Sequence, residues 1–259
     1  MSALAVRVLG ELTVDGTDLT SLDRKARALL LLLALARGRP VSTDALADAL
    51  WGDGPPARPS DQVAVLASRL RRVLGREHIP RSDAGYRLRA DWLDLAELEA
   101  MVNEIEDRPG AAEARVLAGA ALALIRGPIA EVRGTATWAV VERAAAERLI
   151  QRARRVAAAA FLAAGQGRDA LELATADSTT DPLDEAAVRT VMRAEAVEGR
   201  PALALAAYAA LRERLADQLG ADPAAATEEL HMAILRGEFP IRSPWRAPSV
   251  VSHIAGADR

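Results

Sequence analysis

The hydrophobic pattern of the first ninety residues predicts short strands and three helices. Residues 5–9 are mostly apolar, residues 11–14 alternate, and Asp15-Gly16 is typical of a hairpin turn. The predicted helices cover residues 22–37, 44–50 and 60–74. Ser42-Thr43 and Ser60 are the residue types expected to cap the second and third helices.

A basic hairpin is predicted after the third helix. Ile79 begins a strand, residues 83–85 form the turn, and residues 86–89 return. Strands, three helices and a closing hairpin together describe a winged helix, an α+β unit that we place at residues 1–92.

From residue 93 onward the pattern is helical and rich in alanine. The predicted helices cover residues 94–106, 111–126, 138–165, 168–177, 184–198, 201–219 and 223–236. The fold class is therefore mainly α, a winged helix followed by an all-α domain over 93–237. Residues 238–259 are aperiodic and are predicted to be a tail or linker.

The helical half contains an internal repeat. Residues 167–174 match residues 199–206 at six of eight positions, an offset of 32. A period near 34 in helix pairs is typical of tetratricopeptide arrays, in which small residues lie where helices touch. We therefore expect four alanines to be buried: Ala170, Ala174, Ala202 and Ala206.

The predicted third helix has one apolar face and one polar face. With 100° per residue, Val63, Leu66 and Leu70 fall on a common buried stripe. The opposite face carries Ser and Arg, which bind base edges and phosphates in a DNA groove, and an apolar Val that can touch a thymine methyl. The predicted DNA-binding residues, including those of the hairpin, are Arg58, Asp61, Val65, Ser68, Arg69, Arg71, Arg72, Arg81 and Arg87.

Charge is distributed unevenly along the chain. The net charge is −3, but residues 58–89 carry eight Arg against three acids, a balance of +5. A local basic patch attracts phosphate because salt confines each charge to a neighbourhood of roughly 8–10 Å. The alternative for this helix is an ordinary solvated surface.

Composition excludes several other kinds of site. The chain has no Cys and three scattered His, which disfavours disulfides, thiolate chemistry and metal centres. It has no Gly-x-x-x-x-Gly-Lys-Ser/Thr loop, and no residues pair a nucleophile with a base. We expect no cofactor, no metal and no enzymatic activity. The apolar run over 28–36 is too short for a membrane span, so we expect a cytoplasmic protein with no membrane partner.

Specific motifs resemble a known family of regulators. The segments that carry the first resemblance are Val8-Leu9-Gly10, Lys25, Ser68-Arg69-Leu70-Arg71-Arg72, Ile79 and Gly85-Tyr86-Arg87-Leu88. They resemble the OmpR-type winged helix of SARP-type regulators, the Streptomyces antibiotic regulatory protein family. The second half resembles their bacterial transcriptional activator domain, through Trp138, Glu142-Arg143, Asp181-Pro182-Leu183, Glu198-Gly199-Arg200, residues 205–211, Leu219-Gly220-Ala221-Asp222-Pro223 and Leu235-Arg236-Gly237.

The resemblance implies a transcriptional activator that binds direct repeats in promoter DNA. It implies that the third helix enters the major groove, that the hairpin lies against the adjacent minor groove or backbone, and that RNA polymerase and a second copy on DNA are partners. The sequence departs from the family at Asp61, where Asn is common, and at Ala64, where Gln is common.

Two alternatives stay open at this point. Asp61 and the net negative charge favour a protein-interaction scaffold whose winged helix no longer binds DNA. Residues 250–259 resemble the lead-in to the ATPase module of large family members, so we interpret the chain as a piece of a longer regulator. A naturally short protein is the alternative.

Overall fold

The computed structural model describes residues 3–108, 112–129 and 137–238. The described residues form two compact units, which divide between Ala160 and Phe161 and are described separately below. The predicted tail lies outside the described residues, apart from Glu238.

The first unit begins with a three-stranded sheet whose middle strand is the first in the chain. Its strands are β1 (Ala5–Arg7), β2 (Thr13–Val14) and β5 (Trp92–Leu93). β1 pairs antiparallel with β2 and parallel with β5. The two predicted strands are present, although shorter than predicted. The predicted Asp15-Gly16 turn follows β2, where Thr17 donates its N–H to the carbonyl oxygen of Val14 at 3.1 Å. The pairing with β5 was not predicted, because nothing in a two-residue strand at 92 indicates its partner 87 residues earlier.

Six helices follow the predicted order. They are α1 (Arg24–Leu35), α2 (Thr43–Trp51), α3 (Pro59–Leu74), α4 (Asp94–Asp107), α5 (Ala112–Leu124) and α6 (Thr137–Ala163). The apolar run of α1 is buried from Leu29 to Leu35, as predicted. Ser42 caps α2 by accepting the N–H of Ala45 at 3.2 Å, also as predicted.

The predicted cap of α3 is wrong. The N-cap residue is Arg58, which makes no side-chain cap, and α3 begins at Pro59. Proline suits the first helical position because the N–H that it lacks would have no partner inside the helix. Ser60 therefore lies inside the first turn.

An apolar core joins described residues on both sides of position 92. It includes side chains from β1, α1 and α3 together with Leu98 of α4 and Ala146 of α6. This unit extends past residue 92, and the domain boundary predicted there stays a prediction. Asp94 also links the two sides of residue 92. Its buried carboxylate accepts the backbone N–H groups of Val8 and Leu9 at 2.9 Å, which ties the start of α4 to the end of β1.

The second unit consists of helical hairpins. Its helices are α7 (Gly167–Thr180), α8 (Glu185–Val197), α9 (Pro201–Leu219) and α10 (Ala225–Leu235). The apolar core lies between α8, α9 and α10, around Met192, Leu211 and Ile234. Tyr208 donates to Glu228 at 2.5 Å across this core, and burial together with that carboxylate raises the pKa of Tyr208 to about 12.

The repeat exists, but two of the four alanines predicted to be buried are exposed. Ala170 and Ala174 are buried as expected, whereas Ala202 and Ala206 lie on the surface. The helices α7 and α9 begin at residues 167 and 201, an offset of 34. At that offset Ala170 corresponds to the buried Ala204. The matching letters at an offset of 32 therefore gave the wrong register by two residues.

Two Ala→Leu substitutions in α9 test the repeat offset of 34 residues. We expect Ala204→Leu to lower the free energy of unfolding by about 1–3 kcal/mol, because Ala204 is completely buried and the added carbons overfill the core. Ala202→Leu on the exposed side of the same helix is the control and should change it by less than about 0.5 kcal/mol. Chemical denaturation of both variants measures the difference. Equal losses would contradict the structural register.

Candidate nucleic-acid interface

The two faces of α3 are separated as the pattern predicted. Val63, Leu66 and Leu70 are buried in the core of the first unit. The outward residues are exposed, namely Arg58, Asp61, Val65, Ser68, Arg69 and Arg72. Val65 is an apolar side chain with 43% of its surface exposed, in the middle of this polar face. We call these six residues the α3 face.

The predicted hairpin forms a short wing beside α3. Its strands are β3 (Arg81–Ser82) and β4 (Gly85–Tyr86), which are antiparallel. The hairpin begins later than predicted, because residues Arg76–His78 form a 3-10 turn and Ile79 follows it. Backbone bonds still continue the ladder, since Arg89 donates to His78 at 2.8 Å.

Tyr86 anchors the wing to the rest of the domain. It is buried, and it exchanges two backbone hydrogen bonds with Val41 at 2.7 and 2.9 Å, just before α2. The guanidinium carbons of Arg71 and Arg81 lie 5.7 and 5.5 Å from the centroid of its ring. The cation–π contact of Arg71 holds the base of the wing against α3, whereas that of Arg81 lies within the wing.

Arg71 and Arg81 therefore have structural contacts in addition to their predicted role. Arg71 is partly buried and donates from Nε to the carbonyl oxygen of Ile79 at 2.9 Å. Arg81 is exposed on β3, and Arg87, after β4, is partly buried. A DNA contact by Arg71, Arg81 or Arg87 stays a prediction, and the observed geometry makes Arg71 a residue that positions the wing.

The charges of the α3 face are partly paired. Near the start of α3, Nη1 of Arg58 lies 4.0 Å from Oδ2 of Asp61, and both side chains are largely exposed. Asp61 also lies in the first helical turn, where a carboxylate interacts favourably with the helix dipole. Arg69 forms an ion pair with Asp23, a residue outside the predicted set. Within the described ranges Arg72 makes no ion pair, so its cation is available to a ligand.

Asp23 and Lys25 make contacts that the sequence did not predict, although Lys25 is one of the residues that carry the family resemblance. Asp23 caps α1 through the N–H of Ala26 and reaches Arg69 of α3 with its other oxygen. Lys25 donates to the carbonyl oxygen of Leu50 at the end of α2 and lies over the ring of Trp51. Burial, and then the charge of Arg24, lowers the pKa of Lys25. An acid before a helix signals a cap, but no local pattern indicates contact with residue 69.

The described residues include neither a metal-binding cluster nor a membrane-spanning helix. Among the described residues there is no group of three or more His, Asp or Glu side chains that could hold a metal ion. The helices of that part of the chain are all too short or too polar to cross a membrane. A cleft between the wing and the start of α2 has a volume of about 610 Å³ and is lined by Arg81, Asp83 and Ser42, among others.

Two family models match the chain. The model described as bacterial transcriptional activator domain matches residues 93–235. The model described as transcriptional regulatory protein, C terminal, matches residues 16–88, which contain the α3 face and the wing.

Similar proteins are named as regulators. Regulatory protein AfsR of Streptomyces griseus is 32% identical over 255 residues, which cover 95% of this chain and 26% of AfsR. AfsR of Streptomyces coelicolor is 35% identical over 245 residues, covering 91% of this chain and 24% of AfsR. The chain thus spans about a quarter of the length of these relatives.

A solved structure has the same fold over most of the chain. Mycobacterium tuberculosis EmbR, solved in complex with a low affinity phosphopeptide, superposes with a TM-score of 0.77 at 29% sequence identity. The match covers 93% of this chain and 67% of the EmbR chain.

Proposed function

Because the chain belongs to the SARP-type family of transcriptional regulators, we propose that it is a cytoplasmic activator that binds promoter DNA through the α3 face and the wing. The observation that carries the proposal is the exposed Ser68, Arg69 and Arg72 on a helix whose other face is buried in the domain core. In this mode α3 lies in the major groove and the wing contacts the adjacent backbone or minor groove. The proposal comes from this surface together with the family membership.

The α3 face has separate positions for base and phosphate contacts. Arg72 lies near the centre of the face and has no ion-pair partner among the described residues, so it is suited to a guanine edge. Arg69 lies on a flank, where a phosphate is the better partner. Val65 offers its exposed methyl groups to a thymine.

We expect the replacement of Arg72 and the replacement of Arg69 to change DNA binding in different ways. Arg72→Ala should cost roughly 1–3 kcal/mol of binding on the preferred duplex and relax base choice at one position. Arg69→Ala should weaken binding to every duplex and reduce the salt slope by less than the roughly 0.9 of a full phosphate contact, because Arg69 is already paired with Asp23. The measurement is fluorescence anisotropy at several salt concentrations, on a duplex selected from genomic fragments and on a scrambled duplex.

Arg115→Ala is the matched control for these substitutions. Arg115 is an exposed arginine of α5, away from α3 and the wing in the chain, and its loss removes the same charge. It should leave both affinity and salt slope close to those of the unmodified chain. If the unmodified chain shows no salt-dependent binding, the scaffold function replaces the proposal.

Residues 93–237 are the proposed activator domain. We propose that they contact RNA polymerase and support a pair of copies on direct repeats. Sedimentation of the chain on duplexes with one and two half-sites tests the pairing. A single copy bound per two-site duplex at saturating protein would contradict it.

A further inference from the structure

Asp23 divides its two carboxylate oxygens between two helices. Its Oδ1 accepts the N–H of Ala26 at 2.8 Å and so caps α1, with the backbone of Asp23 in the extended conformation. Its Oδ2 forms the ion pair with Nη1 of Arg69 on α3. The cap fixes where the carboxylate lies, because the residue cannot leave the end of α1 without losing that hydrogen bond.

The ion pair lies in solvent at the edge of the α3 face. Both side chains are 47% exposed. Exposed pairs of this kind contribute little to stability, so Arg69 can turn from Asp23 to a phosphate at small cost. The carboxylate nevertheless stays at the capped position, where it attracts the guanidinium and repels the phosphate.

We propose that Asp23 competes with the DNA backbone for Arg69 and thereby lowers the affinity and the salt dependence of DNA binding. The inference rests on the proposed function, because it concerns the same α3 face. An arginine that is still attracted to a protein carboxylate neutralises a phosphate less completely, so fewer of the counterions condensed on the DNA are released when it binds. Arg72, which has no such partner among the described residues, keeps its full contribution.

Removing the charge of Asp23 tests the competition. Asp23→Asn keeps an oxygen that can accept the N–H of Ala26, since Asn is as good an N-cap as Asp. We expect it to bind any duplex about 3- to 10-fold more tightly at moderate salt, with a steeper salt slope. The increase in slope and the decrease seen in Arg69→Ala should together not exceed the roughly 0.9 of one phosphate contact. Anisotropy titrations over a range of salt concentrations measure both quantities.

Asp18→Asn is the control for net charge. Asp18 lies in the loop before α1, and its carboxylate accepts from the N–H and hydroxyl of Thr20 at 2.8 and 2.6 Å rather than from an arginine of α3. Both variants remove one negative charge, so a general electrostatic effect would appear in both. The gain in DNA affinity should be clearly larger in Asp23→Asn than in Asp18→Asn.

The double variant identifies the partner. In an Arg69→Ala background, Asp23→Asn should have no more effect than Asp18→Asn, because the cation for which Asp23 competes is gone. Thermal unfolding and a stoichiometric titration of active protein accompany each variant. If Asp23→Asn is unstable, Asp23→Ser removes the same charge and retains a capping oxygen.

The outcomes separate this inference from the function on which it rests. If the unmodified chain does not bind DNA in a salt-dependent way, both are overturned. If it binds but Asp23→Asn equals Asp18→Asn, or binds more weakly than the unmodified chain, only the competition is overturned. A gain that survives in the Arg69→Ala background also overturns it.

Discussion

Gly85→Ala should detach the wing and lower the free energy of unfolding by about 3–5 kcal/mol. Gly85 has a φ of +116°, a conformation that side chains with a Cβ rarely adopt. An added Cβ would also overlap the carbonyl oxygen of Val41 and lie 2.8 Å from Cα of Ser42. Both obstacles are backbone atoms held by the Val41–Tyr86 hydrogen bonds, so the wing must move instead.

Chemical denaturation of Gly85→Ala gives this loss directly, and Gly16→Ala is its control. Gly16 also has a positive φ, +70°, but an added Cβ there meets nothing within 4 Å. The control should therefore lose only the roughly 1 kcal/mol of backbone strain. If both variants lose the same amount, the steric contact at Val41 is not what holds the wing. Loss of DNA affinity in Gly85→Ala at a temperature where the protein stays folded would place the wing in the interface.

Asp94→Ala should cost about 3–5 kcal/mol of the free energy of unfolding. The carboxylate is 1% exposed, and it accepts the N–H groups of Val8 and Leu9 at 2.9 Å. Nη2 of Arg126 lies 3.4 Å from it. Alanine leaves two buried N–H donors and a cation without that partner. Unpaired buried groups of this kind lower the free energy of unfolding strongly.

The matched control is Asp107→Ala in the same helix. Asp107 is the exposed last residue of α4, so its loss should change the free energy of unfolding by less than about 0.5 kcal/mol. Denaturant titrations of both variants decide the matter. A loss of under about 1 kcal/mol for Asp94→Ala would show that the tie between β1 and α4 is unimportant for stability.

Much of the secondary structure and one surface could be predicted from the sequence alone. The helices of both units lie close to their predicted ranges, because apolar residues recur at the helical period and Gly, Pro or a capping residue lies near the ends of many of them. The exposure of Ser68, Arg69 and Arg72 opposite Val63 also follows from that period. These properties depend on residues within a few positions of each other, which is the range that a sequence pattern describes.

The structure explains why several residues of the family motifs are needed. Gly85 and Tyr86 of the Gly85-Tyr86-Arg87-Leu88 segment supply the close approach to Val41 and the buried anchor of the wing. Gly220, in Leu219-Gly220-Ala221-Asp222-Pro223, has a φ of +61° and ends α9. The sequence could therefore identify the family, although the letters do not say what each residue touches.

Contacts between distant residues required the tertiary structure. The repeat register of 34, the pairing of β1 with β5 and the burial of Asp94 against Val8 each depend on how elements pack. Asp23 reaches Arg69 across 46 positions because α1 and α3 pack side by side. A hydrophobic period shows which face of a helix is buried. Which charged side chain meets another across two helices depends on their relative placement, and that is decided only when the core forms.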